Sequence, residues 1–168
     1  MPGGARPASL NRPAGADVLP VVTTTATSTA IHASLAEVAL RVLTVVGLGV
    51  SAYIHLHLAH LYAGNGNQIS QGDLFTAQGV AALGVATVLL VTGWRWAWYA
   101  AGLVGAASAA ALLLSRYTSM GAIGPLPNMH DASWQPSPDK LASLVAEAAV
   151  VVLVAAWALA IDRRRSAD

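Results

Sequence analysis

The sequence contains no cysteine and very little charge. Of its 168 residues none is Cys, and only 10% are Asp, Glu, Lys or Arg. Without cysteine, disulfides, thiolate metal sites and cysteine nucleophiles are excluded. A soluble domain carries about 25% charged residues, so this composition is too apolar to cover a surface that faces water. The net charge of +1 also lacks the basic face that nucleic acid requires.

What the sequence does contain is four apolar runs separated by short polar breaks. They extend from about Leu35 to Leu61, Leu74 to Thr92, Ala97 to Leu114 and Leu141 to Ile161. Each is close to the roughly 20 residues that cross a bilayer. Short connections make sequential helices antiparallel neighbours. We therefore predict an all-α, four-helix transmembrane bundle, formed by residues 34–162 and embedded in a lipid bilayer.

Local signals mark where these helices begin and end. Ser34 and Glu37 have the S-x-x-E spacing of a capping box, which predicts that the first helix begins there. Either Asp73 or Ser70 is expected to cap the second helix. Gly93 is expected to end that helix, because glycine readily adopts the left-handed conformation.

Cationic residues gather at one end of the four spans. If both termini are cytoplasmic, seven arginines lie inside: Arg6, Arg12, Arg41, Arg95, Arg163, Arg164 and Arg165. Only Arg116 and Lys140 then lie outside. The positive-inside rule therefore predicts a multi-pass protein of the bacterial cytoplasmic (inner) membrane, with both termini in the cytoplasm. Residues 1–33 hold four of the eight prolines and are predicted to be a disordered tail, while 163–168 form a basic cytoplasmic tail.

Two further patterns concern the membrane interface and the packing of the helices. The turn between the second and third spans is rich in aromatic residues, namely Trp94, Trp96, Trp98 and Tyr99. This pattern is typical of an aromatic belt at a membrane interface. The same spans carry small residues, namely Gly79, Gly84, Ala101, Gly105 and Ser108. They either form a close-packing face or reflect the abundance of alanine in this chain.

Polar side chains enter the spans at one depth, at the end opposite the arginines. The hypothetical site comprises His57, His60, Gln78, Arg116 and Glu147. Glu147 lies about 9 Å along the fourth span, and Ser143 and Lys140 precede it on the same helical stripe. Ionisable groups in a span usually face the interior and mark a functional site. The pattern indicates a proton, cation or ligand site, or else a structural clamp between helices.

The histidines of the first span do not share one face. At about 100° per residue, His57 and His60 lie about 60° apart, whereas His55 is about 140° or more from either. His57 and His60 are therefore the candidate metal pair. A third ligand would come from elsewhere, the candidates being Glu147, Asp73 and His130. The alternative is that these histidines lie at the headgroup boundary. Haem is disfavoured because every intramembrane histidine is on one helix, so that a homodimer would have to supply two copies of one histidine. The sequence requires no cofactor.

Two phrases resemble those of a known group. Ile69–Gln78 (ISQGDLFTAQ) and Gly124–Met129 (GPLPNM), together with the histidine-rich end of the first span, are similar to phrases in small, uncharacterised membrane proteins of actinobacterial type. The resemblance covers the four-span region and not the N-terminal tail. That group has no assigned activity, so the resemblance implies a four-span membrane fold and no reaction.

The sequence leaves two functional hypotheses. It contains no G-x-x-x-x-G-K-[ST], H-E-x-x-H or G-x-S-x-G motif, the signatures of several common catalytic sites. The first hypothesis is therefore a non-enzymatic accessory or partner-binding subunit, in a homo-oligomer or a larger membrane complex. The second is a ligand, metal or proton site, formed by the polar layer and serving transport or redox work.

Overall fold

The computed structural model describes residues 24–64, 68–118, 121–122, 124–130 and 138–166, with the backbone alone for 24–34. This part of the chain forms four α-helices: α1 (Thr24–Ala59), α2 (Gln71–Thr92), α3 (Arg95–Tyr117) and α4 (Pro138–Arg165). A single 3-10 turn, His60–Tyr62, extends α1. All four helices are long and apolar enough to cross a membrane. The predicted all-α bundle is therefore confirmed, with four helices long and apolar enough to span a membrane.

The four helices form a closed ring. Helix α1 packs mainly against α2 and α4, and α3 completes the ring by packing against α4 and α2. We call the end where α1 and α3 finish and α2 and α4 begin the histidine end. The opposite end, which holds the α2–α3 turn and the last turn of α4, is the arginine end. Short connections between sequential helices produce this up-and-down arrangement.

Helix α2 has the predicted ends, whereas α1 begins earlier than predicted. The N–H of Asp73 donates to Ser70 Oγ over 3.0 Å, and the N–H of Ser70 donates to Asp73 Oδ2 over 2.9 Å, so that Ser70 is the N-cap. Gly93 ends α2 at φ 62°. The predicted start at Ser34 is wrong, because α1 begins at Thr24. No glycine or proline occurs between these residues, so nothing interrupts the helix.

This longer α1 also changes the boundary of the predicted tail. Residues 24–33 belong to α1, and residues 1–23 lie outside the described part of the chain. At the other terminus, α4 continues to Arg165, so the three arginines of the predicted basic tail belong to the last turn of a helix. Its Arg164 Nη1 lies 3.6 Å from Glu37 Oε2 of α1. This ion pair joins the first and last helices at the arginine end.

The core of the arginine end is aromatic and apolar. Trp98 is 0% exposed and stacks on Trp157, with ring centroids 4.7 Å apart and planes inclined by 7°. Trp94 and Trp96 are exposed, as an interfacial belt requires. The prediction that Trp98 belongs to that belt is wrong. Two residues of helix rotate a side chain by about 200°, so Trp98 points inward when Trp96 points outward.

The small residues fall into two groups. A Cβ atom on Gly105 would lie 3.1 Å from Val150 Cγ1 of α4, and one on Gly79 would lie 2.6 Å from Leu56 Cγ of α1. These two glycines therefore allow close helix approach, and Ala101 and Ser108 are buried beside Gly105. A Cβ on Gly84 would meet nothing within 4 Å, so its assignment to a packing face is wrong.

Candidate functional site

A buried carboxylate lies at the centre of the histidine half of the bundle. Glu147 is 1% exposed, and its Oε1 accepts hydrogen bonds from three serine hydroxyls. Ser51 Oγ lies 3.0 Å away, Ser108 Oγ 2.6 Å and Ser143 Oγ 2.7 Å. These hydroxyls come from α1, α3 and α4. We call the four residues the serine–glutamate cluster. It meets the general requirement that a buried polar group be hydrogen-bonded.

Close helix packing brings the cluster together. Val150 of α4 lies between two glycines: a Cβ on Gly47 would be 2.7 Å from its Cγ2, and one on Gly105 3.1 Å from its Cγ1. Ser51 follows Gly47 by one turn along α1, and Ser108 follows Gly105 along α3. Because α4 runs antiparallel to both, Glu147 lies one turn before Val150, at the same level. The two glycines therefore set the distances within the cluster.

His55 links the cluster to the space beside it. Its Nδ1 lies 2.8 Å from the carbonyl oxygen of Ser51. A carbonyl only accepts hydrogen bonds, so Nδ1 carries a hydrogen in this arrangement. The other ring nitrogen, Nε2, lies 3.3 Å from Ser108 Oγ and 3.9 Å from Glu147 Oε1. The second carboxylate oxygen, Glu147 Oε2, is buried and has no hydrogen-bond partner among the described residues.

A cavity of about 430 Å³ opens beside the cluster at the histidine end. Its floor is formed by His55, Gln78, Ser108 and Ser143, and Glu147 lies directly behind this floor. Hydrogen bonds to neighbouring residues hold this floor in place. The hydroxyls of Ser108 and Ser143 donate to Glu147 Oε1, and Gln78 Nε2 donates to Val104 O over 3.4 Å. The volume is typical of sites for small molecules, about 300–1,000 Å³.

The walls and the rim of the cavity differ in character. Apolar side chains of α2 and α3 form much of the wall, among them Leu74, Phe75 and Leu112. Arg116 and Lys140 line the rim. The connection between α3 and α4 contributes Leu126 and Met129. One hydrogen bond attaches it to the first residue of α2, Gln71 Nε2 to Asn128 O at 2.7 Å. A second attaches it to the loop just before α2, Ile69 N to Pro125 O at 3.3 Å.

The structure brings together only part of the predicted site. Gln78 and Arg116 line the cavity, and Glu147 is adjacent to it. His57 and His60 do not line it: both are exposed, and their rings contact each other with centroids 5.6 Å apart. The histidine that faces Glu147 is His55, which the sequence set aside because it lies on a different face of α1 from the other two.

The predicted metal pair finds no third ligand. Within the described ranges, no three His, Asp or Glu side chains come close enough to hold a metal ion. The three proposed third ligands are otherwise engaged. Asp73 accepts from Ser70 in the helix cap, and His130 Nδ1 lies 2.9 Å from Thr118 O. Glu147 is enclosed by serines and His55.

Three residues of the site were missed from the sequence: Ser51, His55 and Ser108. The sequence does contain a signal for Ser51 and His55, namely their spacing along α1. Ser51 and His55 stand four residues apart on α1, as Ser143 and Glu147 do on α4, and residues at this spacing share a helix face. Two such polar stripes in neighbouring spans predict a shared polar contact. Ser108 had been assigned to a packing face, and the sequence offered no sign of its second role.

The geometry defines a class: a bundle of four helices long and apolar enough to span a membrane, with a buried polar cluster and a cavity beside it. Searches against family models, curated proteins and solved structures found no match to this chain. The resemblance to membrane proteins of actinobacterial type therefore stays a prediction. Any statement of function rests on the chain's own residues.

Proposed function

We propose that this protein resides in the bacterial cytoplasmic membrane, with both termini in the cytoplasm and the histidine end at the outer face. The charge distribution supports this orientation. Five arginines of the described helices lie at the arginine end: Arg41, Arg95, Arg163, Arg164 and Arg165. The histidine end has the cations Arg116 and Lys140. An excess of cationic residues on the cytoplasmic side is the general rule for such proteins.

We further propose that the protein binds a small ligand in the cavity and does not catalyse a reaction. The observation that carries this proposal is that His55, Ser108 and Ser143 belong both to the cavity floor and to the hydrogen-bond network of buried Glu147. The network holds the floor in one arrangement before any ligand arrives. Preformed concave sites of this kind, mostly apolar with a few fixed polar groups, are typical of small-molecule binding.

This proposal takes the second of the two sequence hypotheses as the better supported. Residues of a single chain form the cavity, so that ligand binding needs no further subunit. A role as accessory or partner-binding subunit, in a homo-oligomer or a larger complex, stays a prediction. Nothing among the described contacts bears on a protein partner.

The test is native mass spectrometry of the protein, extracted gently from its own membranes. Ala111 lines the cavity, and Ala111→Trp fills it. Ala110 is its neighbour on α3, is exposed and does not line the cavity, so Ala110→Trp is the matched control. We expect a small molecule bound to the wild type and to Ala110→Trp, but absent from Ala111→Trp.

Two results would contradict the proposal. One is wild-type protein that carries no small molecule, and the other is an Ala111→Trp variant that retains the same molecule as the wild type. Additional protein mass in place of a small molecule would favour the accessory-subunit hypothesis. Expression and helix content of both variants, measured by circular dichroism, establish that a loss of ligand is not a loss of fold.

A further inference from the structure

The serine hydroxyls of the cavity floor donate their hydrogens to Glu147 and not to the cavity. A serine hydroxyl has one hydrogen to donate and two lone pairs that accept. Ser108 and Ser143 donate to Glu147 Oε1 over 2.6 Å and 2.7 Å, and both residues line the cavity. What they present to a ligand is therefore their lone pairs, which accept hydrogen bonds and cannot donate them.

His55 adds a further acceptor to the floor. Its Nδ1 carries the hydrogen, because this atom lies 2.8 Å from the carbonyl oxygen of Ser51. In a neutral ring the other nitrogen, Nε2, is then an acceptor. Nε2 lies 3.3 Å from Ser108 Oγ, whose single hydrogen is directed to the carboxylate. Two acceptors thus face each other, and a hydrogen-bond donor from a ligand would satisfy both.

The amide of Gln78 gives the floor another acceptor. Its Nε2 donates to Val104 O over 3.4 Å, which orients the side chain and leaves Oε1 to accept. Among the described residues, none donates to this oxygen. Apart from the second amide N–H of Gln78, the floor therefore offers a ligand acceptors alone: His55 Nε2, Gln78 Oε1, Ser108 Oγ and Ser143 Oγ.

The charge behind the floor is negative and has no permanently cationic partner in the described part of the chain. Glu147 Oε1 accepts three hydrogen bonds, an arrangement that suits an ionised carboxylate. Its Oε2 is buried without a described partner. The one ionisable group that the described residues bring within 4 Å of Glu147 is His55, at 3.9 Å. Because a buried charge is costly unless it is paired, a cation on the floor would be stabilised.

The cations at the rim lie well above this level. Arg116 is eight residues beyond Ser108 on α3, a rise of about 12 Å, and Lys140 is seven residues before Glu147 on α4, a rise of about 10 Å. Both engage other groups. Between floor and rim the wall is apolar, as at Leu112. This interval suits the apolar body of a ligand whose polar end is on the floor.

We propose that the ligand is a small primary amine with an apolar body, bound with its ammonium group on the floor. This inference rests on the ligand-binding function proposed above. An ammonium group has three donors and no acceptor, which matches the lone pairs of His55, Gln78 and Ser108. Its positive charge offsets that of Glu147 behind the serine hydroxyls, and a cavity of about 430 Å³ suits a molecule of this size.

The experiment compares three probes of equal chain length, hexylamine, hexan-1-ol and hexanoate. Binding to the full chain in phosphatidylcholine nanodiscs is measured by isothermal titration calorimetry at neutral pH, with the signal of protein-free discs subtracted. We expect hexylamine to bind about tenfold more tightly than hexan-1-ol, because charge-assisted hydrogen bonds are stronger than neutral ones. Hexanoate should bind most weakly, since its carboxylate would face acceptors.

A matched pair of variants tests the role of the carboxylate. Glu147→Gln keeps a carbonyl oxygen for the serines but removes the charge. It should weaken hexylamine binding by about tenfold and leave hexan-1-ol unchanged, so that the alcohol reports an intact floor. Glu37→Gln is the control, because Glu37 pairs with Arg164 at the arginine end and should alter neither probe.

The outcomes separate this inference from the proposed function. If hexylamine and hexan-1-ol bind equally well and Ala111→Trp weakens both, the cavity binds ligands but the amine class is wrong. If Ala111→Trp weakens neither probe, the cavity is not their site, and the proposed function fails as well. Tighter binding of hexanoate, or unchanged hexylamine binding to Glu147→Gln, would also overturn the inference. The comparison of probes on the wild type holds whether or not a variant folds.

Two further measurements test the floor and the source of the amine. Nitrogen-15 NMR of ligand-free protein should show His55 Nε2 without a hydrogen. An imidazolium at neutral pH would mean that His55 itself supplies the cation, and would overturn the inference. Phosphatidylethanolamine carries the same ammonium group, so hexylamine binding should persist in discs of that lipid. Its loss there would assign the floor to a lipid headgroup and not to a small amine.

Discussion

The two halves of the bundle are built differently from the same four helices. At the arginine end, Trp98 stacks on Trp157 and Leu89 is fully buried. At the histidine end, the interior holds Glu147, three serine hydroxyls and an open cavity. Lipid is as apolar as leucine, so helices in a membrane are held by close packing and by hydrogen bonds. One half relies mainly on packing, whereas the other relies on hydrogen bonds and keeps space for a ligand.

The largest loss of stability should come from a substitution in the packed half of the bundle, at the arginine end. Trp98→Ala removes a fully buried ring and its stack on Trp157, which should lower the free energy of unfolding by about 4 kcal/mol. The measurement is reversible unfolding by SDS in mixed micelles. Trp96→Ala is the control, because Trp96 is 81% exposed and should change stability little. If Trp98→Ala also abolished ligand binding in the cavity, the two halves would not be independent.

An intermediate loss of stability should come from a substitution in the polar half of the bundle, at the histidine end. Glu147→Ala leaves three buried serine hydroxyls without their acceptor and should destabilise the protein by about 3 kcal/mol in the same SDS unfolding experiment. Glu147→Gln keeps a carbonyl oxygen of similar reach, so its loss should be about 1 kcal/mol. Equal stability of Glu147→Ala and the wild type would show that the hydrogen bonds do not hold this half together.

A smaller loss of stability than that of Glu147→Ala should come from the junction between the halves, where Gly105 of α3 meets Val150 of α4. Gly105→Leu places a side chain where a Cβ would already lie 3.1 Å from Val150 and 3.2 Å from Glu147 O. Overpacking of this kind should cost about 2 kcal/mol and should displace Ser108 from Glu147. Gly84→Leu is the matched control, because a Cβ there meets nothing within 4 Å. Equal unfolding free energies for the two variants would argue against a close α3–α4 approach as the origin of the site.

Much of the fold could be predicted from local signals. The spans follow from hydropathy and length, and α2 begins and ends where Ser70, Asp73 and Gly93 predict. These features depend on residues within one or two turns of each other. The start of α1 was wrong because the S-x-x-E spacing of Ser34 and Glu37 also occurs inside a helix, where no break in the chain precedes it.

The candidate site could be predicted only in part. Depth along the bundle was correct for Gln78 and Glu147, because depth follows from counting residues along each helix. Arg116 lies in the last turn of α3, eight positions beyond Ser108, so it is closer to the histidine end than Glu147 is. The rotation of each helix about its axis was not available from the sequence. His55 and His57 lie on opposite faces of α1, and only the contact of α1 with α3 and α4 shows which of them faces Glu147.

The sequence by itself determined the apolar composition, the four spans, the depth of Gln78 and Glu147, and the caps of α2. Each of these depends on the local order of residues along the chain. Tertiary structure alone decided that His55 rather than His57 or His60 meets the carboxylate, and that Trp98 belongs to the core. It also decided that a cavity exists. The physical reason is that helix rotation and close approach are set by packing between distant segments, here where Val150 meets Gly47 and Gly105.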